Sequence, residues 1–195
     1  MFRSVGVHAH DRRDIFLRRR LPEIPAGIAK AAVVIRPEEG GLTQADEAYM
    51  RLALRLADEA AAEGEVPVGA VLVRDGEVAG TGRNRRETLR HALCHAEIEA
   101  IDQACRRLNG WRLSGSTLYV TLEPCPMCAG AILNARIGRV VYGAADPKAG
   151  SLGSVTDLFA LPYNHHPVVE SGLLEQECAQ VLSAFFQNLR KQKSR

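Results

Sequence analysis

From Thr43 onward, apolar positions recur along the chain with a readable period. Thr43 followed three residues later by Asp46 is a helix-start signature, and Met50, Ala53, Leu54, Ala57 and Ala61 then repeat at helical spacing. The spacing predicts a helix that ends near Gly64. The run from Val66 to Arg74 is rich in strand formers, Asp75-Gly76 is a two-residue hairpin signal, and the stretch from Glu77 to Gly82 supplies the returning arm. A loop carrying Arg83, Asn84, Arg85, Arg86 and Arg90 then leads to a second helix, starting near His95 and stopping by Gly110. Ser116 to Thr121 reads as a strand, Cys125 to Asn134 as a helix, and Arg139 to Gly143 as another strand. After a short strand at Val168-Val169, a last helix runs from about Glu175 to Lys191. Strands alternating with helices predict an α/β fold: a partly parallel sheet covered by helices.

Before Thr43 the periodicity is lost. Residues 1 to 43 carry eight Lys/Arg against five Asp/Glu, are broken by Pro22, Pro25, Pro37 and Gly40-Gly41, and read as a flexible extension. The Arg18-Arg19-Arg20 run fits a nucleic-acid contact or an address, but a solvated tail accounts for it more simply. Asp11, Asp14 and Glu23 argue against an organellar transit peptide, and the segment from Ala26 to Ile35 is too short to span a bilayer. A chain of 195 residues with 46% hydrophobic content can bury one sizeable core, here expected over residues 44 to 189, with a basic tail at 190 to 195. No run approaches the roughly 18 apolar residues of a membrane helix. Five cysteines, an odd number, without an evident secretory leader predict a reducing cytoplasm, and Cys94, Cys105 and Cys178 read as small buried residues. The net charge of +2 hides an asymmetry, since residues 44 to 189 hold 13 Lys/Arg against 18 Asp/Glu. Composition therefore does not announce a nucleic-acid binder. RNA binding would have to use local patches, the Arg83 to Arg90 loop or Arg190, Lys191, Lys193 and Arg195; a solvated loop and a basic helix end explain the same residues equally well.

Chemistry concentrates in two segments. His95-Ala96-Glu97 and, 26 residues after it, Pro124-Cys125-Pro126-Met127-Cys128 offer an imidazole, two thiols and a carboxylate. Cys125 and Cys128 stand three apart, which on a helix puts both thiols on one side of one turn, and Pro126 suits a first helical position. The unpaired N–H groups at such a helix start favour thiolate, the form that binds metal. Zinc prefers nitrogen and sulfur in a tetrahedron, and a catalytic site keeps three protein ligands and leaves the fourth position to water. Glu97 is the carboxylate available to move protons. Spacing leaves one point open: residues i and i+2 do not share a face of a regular helix, so either His95 sits at the helix end or Glu97 reaches around. A Cys-x-x-Cys pair alone also fits a redox motif or half of a structural zinc site, and a lone His is usually an ordinary packed or surface residue.

Together, His-x-Glu and Pro-Cys-x-x-Cys resemble the signature of the zinc-dependent nucleoside and base deaminases. Residues from about 46 to 190 are similar to the bacterial tRNA-specific adenosine deaminases. The matching pieces are Glu65-Val66-Pro67-Val68-Gly69-Ala70-Val71, Asn84, His95-Ala96-Glu97-Ile98, the run from Thr121 to Ala131, and the run from Gly143 to Gly150. The resemblance implies a three-layer α/β/α cytidine-deaminase-like fold with a central five-stranded mixed sheet and helices on both faces. It implies one zinc per subunit on His95, Cys125 and Cys128, and Glu97 as proton shuttle. Asn84 and Ala96 would contact the flipped nucleoside, and Asp146 would lie near the RNA backbone. It further implies hydrolytic deamination of adenosine to inosine at the wobble position of tRNA anticodons, a homodimer, and no organic cofactor. A deaminase of a free base or nucleotide, of guanine or cytosine type, would use the same donors, and a non-enzymatic zinc protein remains a third class. One departure stands out: many relatives carry Asp-Pro-Thr or a similar trio before the ligand motif, where this chain has Arg90-His91-Ala92-Leu93-Cys94. Adjacent side chains diverge, so Cys94 is not expected as a fourth ligand. His165-His166 is expected to be a surface pair or RNA contact rather than a metal site.

Overall fold

The computed structural model describes residues 41–193. The expected extension, including Arg18-Arg19-Arg20 and the 26–35 segment, lies outside the described residues up to residue 40. The first helix, α1 (Gln44–Ala62), starts on a complete capping box: the Thr43 hydroxyl accepts from the Asp46 N–H, and the Asp46 carboxylate accepts from the Thr43 N–H. Strands β1 (Gly69–Arg74) and β2 (Glu77–Arg83) form an antiparallel hairpin across Asp75-Gly76, both with positive φ. Strand β1 is shorter than the apolar run suggested, because Val66 to Val68 lie outside it and serve the neighbouring loop instead.

A short helix α2 (Arg86–Leu89) interrupts the expected loop, followed by α3 (Ala96–Arg107), β3 (Ser116–Leu122), α4 (Pro126–Ala135) and β4 (Arg139–Ala144). A 3₁₀ turn at Leu158–Ala160, β5 (Val168–Ser171) and α5 (Glu175–Lys193) complete the described chain. Helix α5 extends into the residues expected to form a tail. The five strands lie in the order β2-β1-β3-β4-β5; β1 runs antiparallel to β2 and β3, while β3, β4 and β5 are mutually parallel. The sheet is mixed, as expected.

Strand alternation divides the core into two layers. Ala70, Leu72, Leu118, Val120, Val140 and Tyr142 face α3 and α4, whereas Val71, Val73, Tyr119 and Val141 face α1 and α5. Close approach needs missing side chains. A Cβ at Gly82 would collide with the Ala96 carbonyl, so α3 lies directly on β2 only because that position is glycine. The first turn of α3 is thereby pressed against the sheet.

Polar groups tie the other layer. Asp46 is fully buried and accepts from the Tyr119 hydroxyl at 2.6 Å and the Arg139 guanidinium at 2.6 Å, and Arg139 continues to Glu170. One carboxylate thus connects the start of α1 to β3 and, through Arg139, to β4 and β5. Burial opposes its ionisation, but the bonds from Arg139, Tyr119 and Thr43 prevail and hold the carboxyl down to about 2.

Candidate metal centre

Two helix starts meet on the α3/α4 face of the sheet. His95 is the N-cap of α3 and Cys125 the N-cap of α4, each with extended backbone (φ −83°, ψ 153° and φ −73°, ψ 172°). Pro126 occupies the first turn of α4, as its fixed φ and missing N–H allow. His95 Nδ1 lies 3.7 Å from Cys125 Sγ and 3.5 Å from Cys128 Sγ. All three donor atoms fall within 4.8 Å of one another and could hold a metal ion; His95 and Cys125 are half-buried and Cys128 is buried. The cluster therefore has a closed floor and an accessible side. Cys94 is not among its donors.

The open question about His95 and Glu97 has a geometric answer. His95 stands before the helix, in extended backbone, so the rule about i and i+2 on a helix does not apply to it. Glu97, on the first turn and only 4% exposed, hydrogen-bonds the Cys128 thiol side of the cluster. Burial pushes its carboxyl above the ordinary range. The Cys125 thiol is held well below its ordinary range, chiefly by a hydrogen bond from Cys128 and also by His95, which favours the thiolate form. The same Cys125 charge raises the His95 imidazole.

The remaining expected site residues surround this cluster with different roles. Asn84 is buried; its N–H donates to the Val68 carbonyl at 3.0 Å and its Nδ2 donates to the Val66 carbonyl at 3.3 Å. Its Oδ1 is buried without a protein partner. The Ala96 side chain is fully buried in the core under α3, leaving only its backbone to face a ligand. Asp146 is half-exposed, and its carboxylate accepts from the Lys148 N–H at 2.9 Å, a local turn bond.

Some expected contacts resolve into structural bonds. Three of the four arginines in the Arg83 to Arg90 loop have acid partners: Arg83 with Glu59 and Glu63, Arg85 with Glu99, and Arg86 with Glu87. His165 and His166 bond the Ile137 and Phe159 carbonyls at 2.7 and 2.9 Å. Of the three spare cysteines, Cys178 is buried as expected, while Cys94 and Cys105 are only half-buried. Arg190 and Lys191 are exposed near the end of α5.

Two acids were not singled out from the sequence. Glu65, 1% exposed, accepts from the Glu87 and Thr88 N–H groups and the Thr88 hydroxyl. Glu123, 2% exposed and one residue before Pro124, accepts from the N–H groups of Asp146, Leu152 and Ser154 and from the Ser154 hydroxyl. The available signal was an acid at the edge of an apolar run and within two residues of a proline, at Glu65-Val66-Pro67 and Leu122-Glu123-Pro124. Such an acid, once buried, must find donors.

The layers, the strand order and the donor cluster define a cytidine-deaminase-like α/β protein. A family profile described as MafB19-like deaminase matches residues 44–190, and the chain belongs to that deaminase family. It is 52% identical over 149 residues to a tRNA-specific adenosine deaminase of Bacillus subtilis (strain 168), covering 76% of this chain and 92% of that one. A tRNA-specific adenosine deaminase of Haemophilus influenzae is 51% identical over 150 residues, covering 76% of this chain and 87% of its own. Among solved structures, one from studies of A-to-I editing by tRNA:A34 deaminases at the wobble position of transfer RNA superposes with a TM-score of 0.67 at 51% identity. That match covers 69% of this chain and 99% of the other.

Proposed function

We propose that this protein hydrolyses adenosine to inosine at the wobble position of tRNA anticodons, releasing ammonia, with one zinc ion per subunit on His95, Cys125 and Cys128. The observation that carries this reading is the meeting of three N/S donors from two helix starts with one buried carboxyl, Glu97, in a chain half identical to tRNA-specific adenosine deaminases. Zinc fits the donor distances. With Zn–S about 2.3 Å and Zn–N about 2.0 Å, a tetrahedral N···S edge spans roughly 3.5 Å, and the observed separations are 3.5 and 3.7 Å.

Bound zinc would supply Lewis acidity that makes water a competent nucleophile at neutral pH. Glu97 would accept a proton from the attacking water and deliver it to the ring nitrogen as the water oxygen bonds C6. The proton left on that oxygen would then pass through Glu97 to the amino group, and the C6–N bond would break to release ammonia. A raised carboxyl pKa suits a group that must hold the proton between these transfers. The Asn84 amide has its NH₂ end committed to Val66, which leaves Oδ1 to accept from the unstacked nucleoside. Ala96 contributes its backbone N–H at the α3 start, and Asp146 lies along the path of the RNA backbone. The anticodon loop suits this pocket because its bases are already unpaired, which lowers the cost of extracting one.

The working unit is the 44–189 domain, the assembly is a homodimer as the resemblance implies, and five free cysteines suit a reducing cytoplasm. Among the described residues no helix is long and apolar enough to cross a membrane. Incubation with a tRNA whose anticodon begins with adenosine, alongside guanine and cytidine, tests the reading. Inosine in the tRNA is expected. Turnover of guanine or cytidine alone would assign the same site to a free-base or nucleoside deaminase.

A further inference from the structure

Helix α2 has no buried residue of its own, and the segment around it exposes Leu93. Apolar packing therefore contributes little to holding residues 84 to 94. Polar bonds hold them instead: the Arg85 guanidinium pairs with Glu99 of α3, and the rest run to the 65–68 segment. The Glu65 carboxylate accepts the Glu87 N–H at 3.2 Å on one oxygen, and the Thr88 N–H at 2.7 Å together with the Thr88 hydroxyl on the other. Val66 and Val68 take the Asn84 side-chain and backbone N–H groups. Arg85, the residue that would normally cap α2, makes no side-chain cap, so Glu65 supplies the cap from 20 residues upstream in the chain. At its far end the same loop closes on the metal cluster, the Arg85 N–H donating to the Cys94 carbonyl at 3.0 Å, immediately before His95.

We infer that Glu65 is a positioning residue: through Thr88 and Glu87 it fixes the 84–94 loop as one wall of the substrate pocket, with Asn84 at one end and His95 at the other. The inference rests on the deaminase reading above, and it adds a specific dependence. Loosening this wall should weaken substrate binding more than the proton transfers, because Glu97 and Cys128 lie within α3 and α4, and His95 and Cys125 are the residues from which those sheet-packed helices start. A loop held by a few polar bonds opens locally rather than with the whole domain.

The test compares wild type with E65Q, T88V and T88S as zinc-loaded full chains, on an anticodon stem-loop RNA carrying adenosine at the wobble position. E65Q keeps the size but turns one acceptor oxygen into a donor group, and T88V removes only the hydroxyl on a solvent-facing turn. Both are expected to raise KM about tenfold while kcat, bound zinc and Tm change little; T88S, which restores the hydroxyl, should return KM to the wild-type value. Amide hydrogen exchange of the free protein should speed up over residues 86–91 in E65Q and T88V and nowhere else. Unchanged exchange there overturns the anchoring role with or without substrate. Faster exchange with unchanged KM, or losses confined to kcat and Tm, overturns the pocket role and leaves Glu65 a stability residue. If the wild-type protein itself makes no inosine, the deaminase reading fails and the pocket role with it, while the exchange data still decide whether Glu65 anchors the loop.

Discussion

A carboxyl taken out of water beside a thiolate resists losing its proton, and Glu97 is in that position: buried on the first turn of α3, next to the Cys125–Cys128 pair. In the reaction proposed above, the same surroundings would suit it to carry a proton between water and a ring nitrogen. Replacing it would separate chemistry from metal binding, because among the described residues the cluster that could hold an ion is His95, Cys125 and Cys128. The E97A variant should keep its zinc, measured by elemental analysis, and lose about 100- to 10,000-fold in inosine formation. Activity within a few-fold of wild type would remove Glu97 from the reaction, and loss of zinc would recast it as a ligand.

At the scale of elements, two contacts decide where the site sits, one made of empty space and one of charge. Gly82 lets α3 rest on β2, and a G82A substitution would force the Ala96 backbone away, displacing His95 next to it. A loss of about 3 kcal/mol in urea unfolding, with reduced zinc retention, is expected. On the opposite face Asp46 joins α1 to Arg139. Its folded pKa of about 2 lies below the ordinary 3.8, so its contribution is complete above pH 3.8 and disappears as pH falls towards 2. That difference corresponds to about 2 kcal/mol. Stability followed by circular dichroism should fall over this window in wild type, and D46N should be less stable at neutral pH and flatter with acid. Elements of this kind were unequally legible. The capping box at Thr43, the Asp75-Gly76 hairpin and the periodic helices could be read directly, because their determinants are local. That His95, Cys125 and Cys128 belong together could be read from their residue types, because metal coordination demands particular atoms at short range, and the structure brings the three donor atoms within 4.8 Å of one another. What Glu65 and Glu123 do could not be read, since a buried acid's donors are chosen by loops 20 to 30 residues away. The acid partners of Arg83 and Arg85 were hidden for the same reason: they lie on or just after α1 and on α3.

Over the whole molecule, the two faces of the sheet are held by different means. The α1/α5 face has Asp46, Tyr119 and Arg139 as a polar tie within an apolar layer, complete without any ion. The α3/α4 face brings together two helix starts whose sequence positions are 30 apart, and the three donors there lie close enough together to hold an ion. An ion that binds the folded chain and not the unfolded one stabilises it by an amount set by its excess over Kd, about 4 kcal/mol at a thousandfold excess. For a domain of this size that corresponds to roughly 10 °C in Tm. Prolonged chelation should therefore lower Tm by about that much, with zinc restoring it, whereas C125A should have the low Tm throughout and fail to respond. Hydrogen exchange after chelation should quicken at the starts of α3 and α4 and leave α1 protected. A Tm indifferent to chelation would mean that the ion rests on a frame already formed, and that its role is confined to the reaction.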